Sequence, residues 1–270
     1  MELLIIVLLF ALTISKDLLE FRTFSLNREE DLFYIRIALG LIAMALIVAG
    51  IDRFEQWLEI TYKPEIFFIN DLLLRIPFND LSVYFKYDHS FFLKAMRAIY
   101  HFGFFVPYFF LLLRAVARRD FRSLSLLAFG TLAFHYVAHF PFYFFTEGHQ
   151  IWYVKGVMVP LFRTVSPLDH VFPSMHTSMS VTCLLLAWQQ PNKWMRALYS
   201  IFCPLVIFAT FYLQIHWTVD AIAGAFIGVA AVQFANYATD QGWLYSIIAK
   251  LGTVWGQRQR RPVTKSLSRG

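Results

Sequence analysis

Six long apolar blocks limit the fold of this chain more than any other feature of its sequence. They lie at 32–51, 98–117, 124–145, 174–189, 197–215 and 218–237. Most approach the ~20 residues that an α-helix needs to cross a ~30 Å layer of hydrocarbon. Because backbone polar groups find no water in that layer, such blocks span it as helices. We therefore predict an all-α fold, a polytopic membrane helix bundle with a six-helix core.

The composition agrees with a membrane domain. Charged residues make up 16% of the chain, whereas about 25% is usual in a soluble domain. We predict a six-helix membrane domain at 32–237, an N-terminal hydrophobic helix and linker at 1–31, and a basic cytoplasmic tail at 238–270. The net charge of +6 arises in short loops and in the tail, where membrane orientation explains it. We therefore expect the bilayer, and no nucleic acid, as a partner.

Two further segments are less regular. The apolar stretch at 3–15 has the length of the hydrophobic region of a signal peptide. However, Glu2 precedes it without a basic segment and no good cleavage site follows, so we expect a retained helix. The segment at 52–96 mixes aromatic and charged residues without a long apolar run. This mixture is typical of interfacial helices that lie along a membrane surface.

Lysine and arginine residues predict the orientation of the bundle. They cluster in the turn at 114–122, in the turn at 190–197 and in the C-terminal segment. These three regions share one face of the predicted bundle, and the positive-inside rule places that face in the cytoplasm. The C-terminus is then cytoplasmic, and the segments at 173–176 and 216–220 lie at the non-cytoplasmic rim.

Two short motifs should meet at this rim. The fourth apolar block runs away from the rim, a short turn follows, and the fifth block returns. Residues that open the fourth block must therefore lie near those that follow the fifth. Pro173-Ser174-Met175-His176 opens the fourth block, while His216 and Asp220 follow the fifth. This topology predicts that the imidazoles of His176 and His216 face each other.

The two motifs contain the groups that phosphoryl transfer requires. The N–H groups of Ser174, Met175 and His176 begin a helix, and a helix N-terminus binds phosphate. His216 and Asp220 are one turn apart on one face. Asp220 can accept from one ring nitrogen and fix the tautomer, which leaves the other nitrogen free to attack phosphorus. Each motif alone is also typical of an ordinary cap or packing residue, but ionisable groups at membrane depth favour a function.

These residues resemble the type 2 phosphatidic acid phosphatase superfamily, which includes lipid phosphatases and haloperoxidase-like enzymes. The second motif of that family, Pro-Ser-Gly-His, is matched by residues 173–176, and His-x-x-x-Asp of its third motif by His216 and Asp220. The order of the helices is similar over 32–237. The resemblance implies a membrane enzyme that acts on a lipid phosphate.

Two departures point to one branch of this family. Met175 replaces the usual glycine, and Ala209-Thr210 replaces the Ser-Arg that precedes the third-motif histidine. The local sequences are more similar to inositol-phosphoceramide synthases and their relatives. Those enzymes transfer a lipid-derived phosphoryl headgroup to an alcohol, so the resemblance leaves both hydrolysis and transfer open.

The first family motif, a lysine, six residues and Arg-Pro, is matched imperfectly. Seven residues separate Lys155 from Arg163, and Thr164 follows. Both can clamp phosphate oxygens, or both can be solvated loop charges. His135 and His139 share a helix face, either as a structural pair or as metal ligands. No third ligand of matching spacing is visible, and we predict no metal site and no cofactor.

The resulting hypothesis is a phosphohistidine mechanism. Phosphate binds the helix start at Ser174 with Arg163 and Lys155, His216 attacks, and His176 protonates the departing lipid oxygen as general acid. Water or an alcohol then attacks the intermediate. A non-catalytic transporter with a histidine-lined path is the alternative of another class, but its paired, interrupted helices in two halves are not visible in the sequence.

Overall fold

The computed structural model describes residues 2–62, 67–81, 90–156, 168 and 170–251. Over these residues the chain is mostly helical with very little strand, and the predicted all-α fold is confirmed. The α-helices are α1 (Glu2–Thr13), α2 (Ser15–Leu18), α3 (Glu29–Tyr62), α4 (Asn70–Arg75), α5 (Ser90–Gly103), α6 (Val106–Ala117), α7 (Phe121–Leu127), α8 (Phe134–Phe145), α9 (Ile151–Val154), α10 (Met175–Trp188), α11 (Lys193–Tyr212), α12 (Thr218–Asp240) and α13 (Trp243–Leu251). A 3₁₀ turn lies at Leu19–Thr23, and a π-helical segment at Ala128–Ala133 joins α7 to α8.

Four helical segments of the described chain are long and apolar enough to cross a bilayer: Glu29–Ile51, Phe121–Phe145, Lys193–Tyr212 and Thr218–Asp240. Helices α5 and α6 form a fifth span if they are taken together, with a 43° bend between them. Pro107 at the start of α6 explains this bend, because its ring cannot fit a continuous helix. The chain is therefore an integral membrane protein.

Helix α10 forms from the fourth apolar block but has only 14 residues, which is too short to cross the bilayer alone. Its first turns are largely buried among the other helices. Helix α12 packs closely against it because Gly224 and Gly228 carry no side chain. A methyl group on Gly224 would collide with the main-chain oxygen of Ser174, and one on Gly228 would lie 2.6 Å from that of Ser178.

The N-terminal helix α1 is an integral part of the bundle. The ring of Phe10 is fully buried and contacts Phe110, Tyr199 and Phe202 at centroid distances of 5.4, 5.1 and 5.0 Å. These contacts join α1 to α6 and α11. The predicted hydrophobic helix at 3–15 is therefore present and packs against the core.

Ion pairs hold together the end of the bundle that lies opposite the start of α10. Arg114 is buried, donates to Asp17 at 3.2 Å and also bonds Gln190. Arg119 donates to the buried carboxylate of Asp31 at 2.6 Å. The turns at 114–122 and 190–197 thus share one end of the bundle, as predicted, whereas residues 252–270 of the basic tail lie outside the described residues.

The segment at 52–96 differs from the prediction in its first part. Helix α3 continues without a break from the apolar block to Tyr62, because neither glycine nor proline interrupts 52–62. Further on, strand β1 (Phe67–Phe68) pairs in parallel with β2 (Thr146–Glu147). This pairing joins the segment at 67–81 to the loop that precedes residues 173–176.

Candidate active site

Ser174 begins α10 and ties it to α12. Its hydroxyl accepts from the N–H of Thr177 at 3.3 Å, which is the usual cap of a helix start. Its own N–H donates to the main-chain oxygen of Asp220 at 3.0 Å. The prediction that this N–H faces the site is therefore wrong. Among the described residues, the N–H groups of Met175 and His176 have no acceptor, so these two remain available to an anion.

His216 is held by a carbonyl as well as by a carboxylate. Its Nδ1 lies 2.9 Å from the main-chain oxygen of Val171 and 3.5 Å from Oδ2 of Asp220. That carboxylate oxygen also accepts from the N–H of Trp217 at 2.8 Å. Because a carbonyl oxygen only accepts, Nδ1 carries the proton in the neutral ring. Nε2 then holds the lone pair that a nucleophile needs.

The rings of His176 and His216 face each other as the topology predicts. Their centroids are 6.5 Å apart, and the ring planes are inclined by 47°. Reacting atoms approach to about 3–3.5 Å before bond formation. At this centroid distance, one phosphate group bound beside the two rings can be within reach of both. The predicted proximity of the two imidazoles is therefore confirmed.

The aromatic contacts behind His176 could not be predicted from the sequence. Tyr100 of α5 is buried and stacks on the imidazole with a centroid distance of 3.8 Å and an interplanar angle of 16°. Phe104 contacts the same ring at 5.1 Å. Helix α5 brings Tyr100 to the site because Leu93 and Met96 bury the same face against α9 and α11, and Phe104 directly follows the end of this helix. Only the buried stripe of α5 is visible in the sequence, and it does not identify what Tyr100 touches.

We expect Tyr100 to act as a positioning residue for the proton donor. Replacing it with leucine removes the stack and should lower kcat about tenfold, since an aromatic pair contributes about 0.5–1.5 kcal/mol. The loss should affect alkyl phosphate esters, whose poor leaving group needs a proton, and spare nitrophenyl phosphate. Tyr100→Phe retains the stack and serves as the matched control. If kcat falls equally for alkyl phosphate esters and for nitrophenyl phosphate, Tyr100 has only a packing role.

The role of Asn79 was not predicted from the sequence either, although this residue holds the start of α12 in place. It is buried, and its side-chain oxygen accepts from the N–H of Val219 at 2.8 Å. Its main-chain oxygen accepts from the N–H of Thr218 at 2.8 Å. Because Asp220 follows directly, the loop that contains Asn79 positions the carboxylate that faces His216.

The residues of this site fall within a known protein family. The model of the PAP2 superfamily matches residues 98–243, which is more than half of the 270-residue chain. The chain belongs to the PAP2 superfamily. Members are phosphatases and phosphotransferases, so the protein is an enzyme of this general class. Searches of curated proteins and of solved structures each found no match.

The PAP2 match includes both histidine motifs, and it begins just before Tyr100. At the position of the third-motif arginine this chain has Thr210, which is buried and donates to the oxygen of Ile207 at 2.7 Å. The threonine hydroxyl is thus satisfied within its own helix. A positive charge that meets the substrate phosphate must come from another residue.

Lys155 is one candidate for that charge, and the structure places it in an ion pair. Its Nζ lies 2.9 Å from Oδ2 of Asp80, and this hydrogen bond lowers the pKa of the Asp80 carboxyl. Both side chains are partly exposed, at 35% and 38%, and such pairs contribute only about 0.2–1 kcal/mol. Lys155 can therefore exchange this partner for a phosphate. Arg163, the second candidate, lies outside the described residues.

The pair His135 and His139 is engaged within the protein. Nδ1 of His135 lies 2.6 Å from the oxygen of Gly130, in the π-helical segment, and Nδ1 of His139 lies 2.7 Å from the oxygen of His135. Nε2 of His139 is 3.3 Å from the hydroxyl of Ser178. Within the described part of the chain, no group of three or more His, Cys, Asp or Glu side chains is arranged around a possible metal ion.

Proposed function

We propose that the protein hydrolyses or transfers the phosphate group of a membrane lipid through a phosphohistidine on His216. The observation that carries this proposal is the pair of imidazoles with centroids 6.5 Å apart at the start of α10. Two N–H groups without an internal acceptor belong to the same helix start. Membership of the PAP2 superfamily supports the same class of reaction.

In the proposed first step, the phosphate binds the N–H groups of Met175 and His176. The hydroxyl of Ser174 and the charges of Lys155 and Arg163 assist, because charge on the phosphoryl oxygens is the main catalytic demand. Nε2 of His216 attacks phosphorus in line, and the bond between phosphorus and the ester oxygen breaks. Protonated His176 donates its proton to the departing lipid oxygen.

The second step releases the phosphoryl group from His216. Water or an alcohol attacks phosphorus, and neutral His176 takes the proton from the attacking oxygen. The bond between Nε2 and phosphorus breaks, which yields inorganic phosphate or a new phosphate ester. The ring of His216 gains positive character while it carries the phosphoryl group, and the carboxylate of Asp220 at 3.5 Å stabilises that charge.

Asp220→Asn should lower kcat about 10²-fold. Where a carboxylate alone sets the tautomer of a catalytic histidine, its amide variant loses about 10⁴-fold. Here the carbonyl of Val171 also accepts from Nδ1, so the tautomer survives and only the charge is lost. Steady-state kinetics of the purified variant measure the effect. An unchanged rate would remove Asp220 from the catalytic set, and a loss as large as that of His216→Ala would show that Val171 does not hold the ring.

We further propose that the site opens on the non-cytoplasmic side, with the C-terminus in the cytoplasm. The turns at 114–122 and 190–197, which carry lysine and arginine, lie at the end of the bundle opposite His176 and His216, and such turns stay in the cytoplasm. A cysteine introduced at exposed Trp194, in the 190–197 turn, tests this orientation. A membrane-impermeant thiol reagent should label it only after the membrane is opened.

The activity itself is tested with purified full-length protein in detergent. Phosphatidate, a prenyl diphosphate and a phosphosphingolipid are supplied with and without inositol or glycerol, and both free phosphate and new esters are measured. Transfer to an alcohol is the second candidate, favoured by Thr210 at the position of the family arginine. A transporter would release neither product and would trap no phosphate on histidine.

A further inference from the structure

A cavity beside the catalytic helix has no part in the mechanism above. It has a volume of about 60 Å³ and lies between α3 and α8. Val48 and Ile51 of α3 form one wall, Phe140 and neighbouring residues of α8 form the other, and Met175 closes the inner end. Met175 is the residue between Ser174 and His176, so this cavity adjoins the proposed phosphate site.

The outer end of the cavity reaches the surface that faces lipid. Ile51 and Phe140 both line the cavity and remain 48% and 44% exposed. Only 6% of the apolar part of α3 is buried, so this helix is packed lightly against the bundle. The ion pair of Asp31 with Arg119 attaches it at the opposite end, and buried Leu41 packs into the core near its middle. The wall formed by Val48 and Ile51 can therefore move outward with little loss of contact.

The polar atoms on the wall formed by α8 are largely turned away from the cavity. The hydroxyl of Tyr143 donates to the main-chain oxygen of Pro173 at 2.9 Å. Both ring nitrogens of His139 are engaged, one with the oxygen of His135 and the other with Ser178. A polar ligand would find few partners here, whereas a hydrocarbon chain would lose only contact with water or lipid.

We infer that this cavity binds the hydrocarbon chain of the substrate next to its phosphate. The inference rests on the proposed function and adds a lateral tail site between α3 and α8. Met175, which stands where the family has glycine, forms the inner wall of this site. The hydrocarbon chain of the lipid enters from the bilayer between α3 and α8, while the phosphate binds the N–H groups at the start of α10.

Kinetics with a cavity-filling variant test this tail site. Val48→Trp fills the cavity from α3, and Ile47→Trp adds the same bulk at a neighbouring position that is 63% exposed. We expect Val48→Trp to lower kcat/KM for phosphatidate about tenfold or more and to leave glycerol 3-phosphate unchanged. Ile47→Trp should alter neither. If Val48→Trp lowers kcat/KM equally for phosphatidate and glycerol 3-phosphate, or does not lower it for phosphatidate, the tail site is rejected.

A labelling experiment tests binding without turnover. Phosphatidate with a diazirine in one chain is irradiated with the His216→Ala protein, in which the probe stays intact, and the adducts are mapped by mass spectrometry. Label should concentrate at Val48, Ile51 and Phe140 and be displaced by unlabelled phosphatidate. Phosphatidylcholine with the same diazirine chain is the control lipid. It should label the cavity residues no more strongly than it labels Val137, which faces outward and is 75% exposed.

The outcomes separate the two proposals. Equal labelling by both lipids would mean that the crevice holds only bulk bilayer lipid, and the tail site would be rejected. If the wild-type protein acts on none of the esters, the proposed function fails, while selective labelling by phosphatidate would still support the tail site.

Discussion

His216→Ala is expected to abolish turnover, with kcat lower by a factor of about 10⁴ or more, as for other enzymes that lose a nucleophile. The physical reason is that no other described group lies opposite His176 with a free lone pair and a fixed tautomer. The measurement is release of phosphate from a lipid phosphate by the purified variant. Size-exclusion profile and melting temperature in detergent are compared with the wild type, so that unfolding is not mistaken for loss of chemistry.

The same variant decides where the intermediate forms. Wild-type protein quenched in alkaline detergent should carry phosphate from a labelled substrate in an acid-labile, base-stable linkage, and His216→Ala should carry none. A variant that retains near-wild-type phosphate release would refute the mechanism. Phosphate label that persists in His216→Ala would show that another residue is the nucleophile.

Gly224→Ala is expected to lower both the stability and the rate, although it adds a single methyl group. That group would collide with the main-chain oxygen of Ser174 and lie 3.1 Å from Cβ of Thr177. Overpacking of this kind costs about 1–3 kcal/mol. Because it pushes the start of α10 away from α12, it also separates His176 from His216, and a displacement of about 1 Å can reduce a rate about 10²-fold.

Gly40→Ala is the matched control for this substitution. Gly40 also lies in a long helix, α3, but a methyl group added there has no neighbour within 4 Å. Alanine favours a helix over glycine by about 1 kcal/mol, so this variant should keep its activity and its melting temperature. If Gly224→Ala and Gly40→Ala behave alike, close approach of α10 and α12 does not control the geometry of the site.

The helices and the meeting of the two motifs could be predicted because both follow from information close in sequence. Apolar blocks of sufficient length must become helices in a bilayer, and the short turn after Trp188 forces α10 and α11 to run antiparallel. His176 and His216 then lie at the same end whatever the details of packing. The capping role of Ser174 follows from its position before the helix.

The remaining contacts depend on residues distant in sequence and have no local pattern. The carbonyl of Val171 lies next to His216 only because of how the loop before α10 folds. Asn79 and Tyr100 reach the site from segments that precede both motifs. The extension of α3 to Tyr62 was missed because its charged residues resemble a surface segment, although no residue there ends a helix.

Asp17 and Arg114 have a practical consequence for anyone who shortens this protein. The family match begins at residue 98, which suggests a minimal version without α1 and α3. Such a version would leave the guanidinium of Arg114 enclosed without its carboxylate, a defect of about 3–5 kcal/mol. It would also leave a hole where the ring of Phe10 now sits. The smallest folded unit therefore extends well upstream of the catalytic sequence.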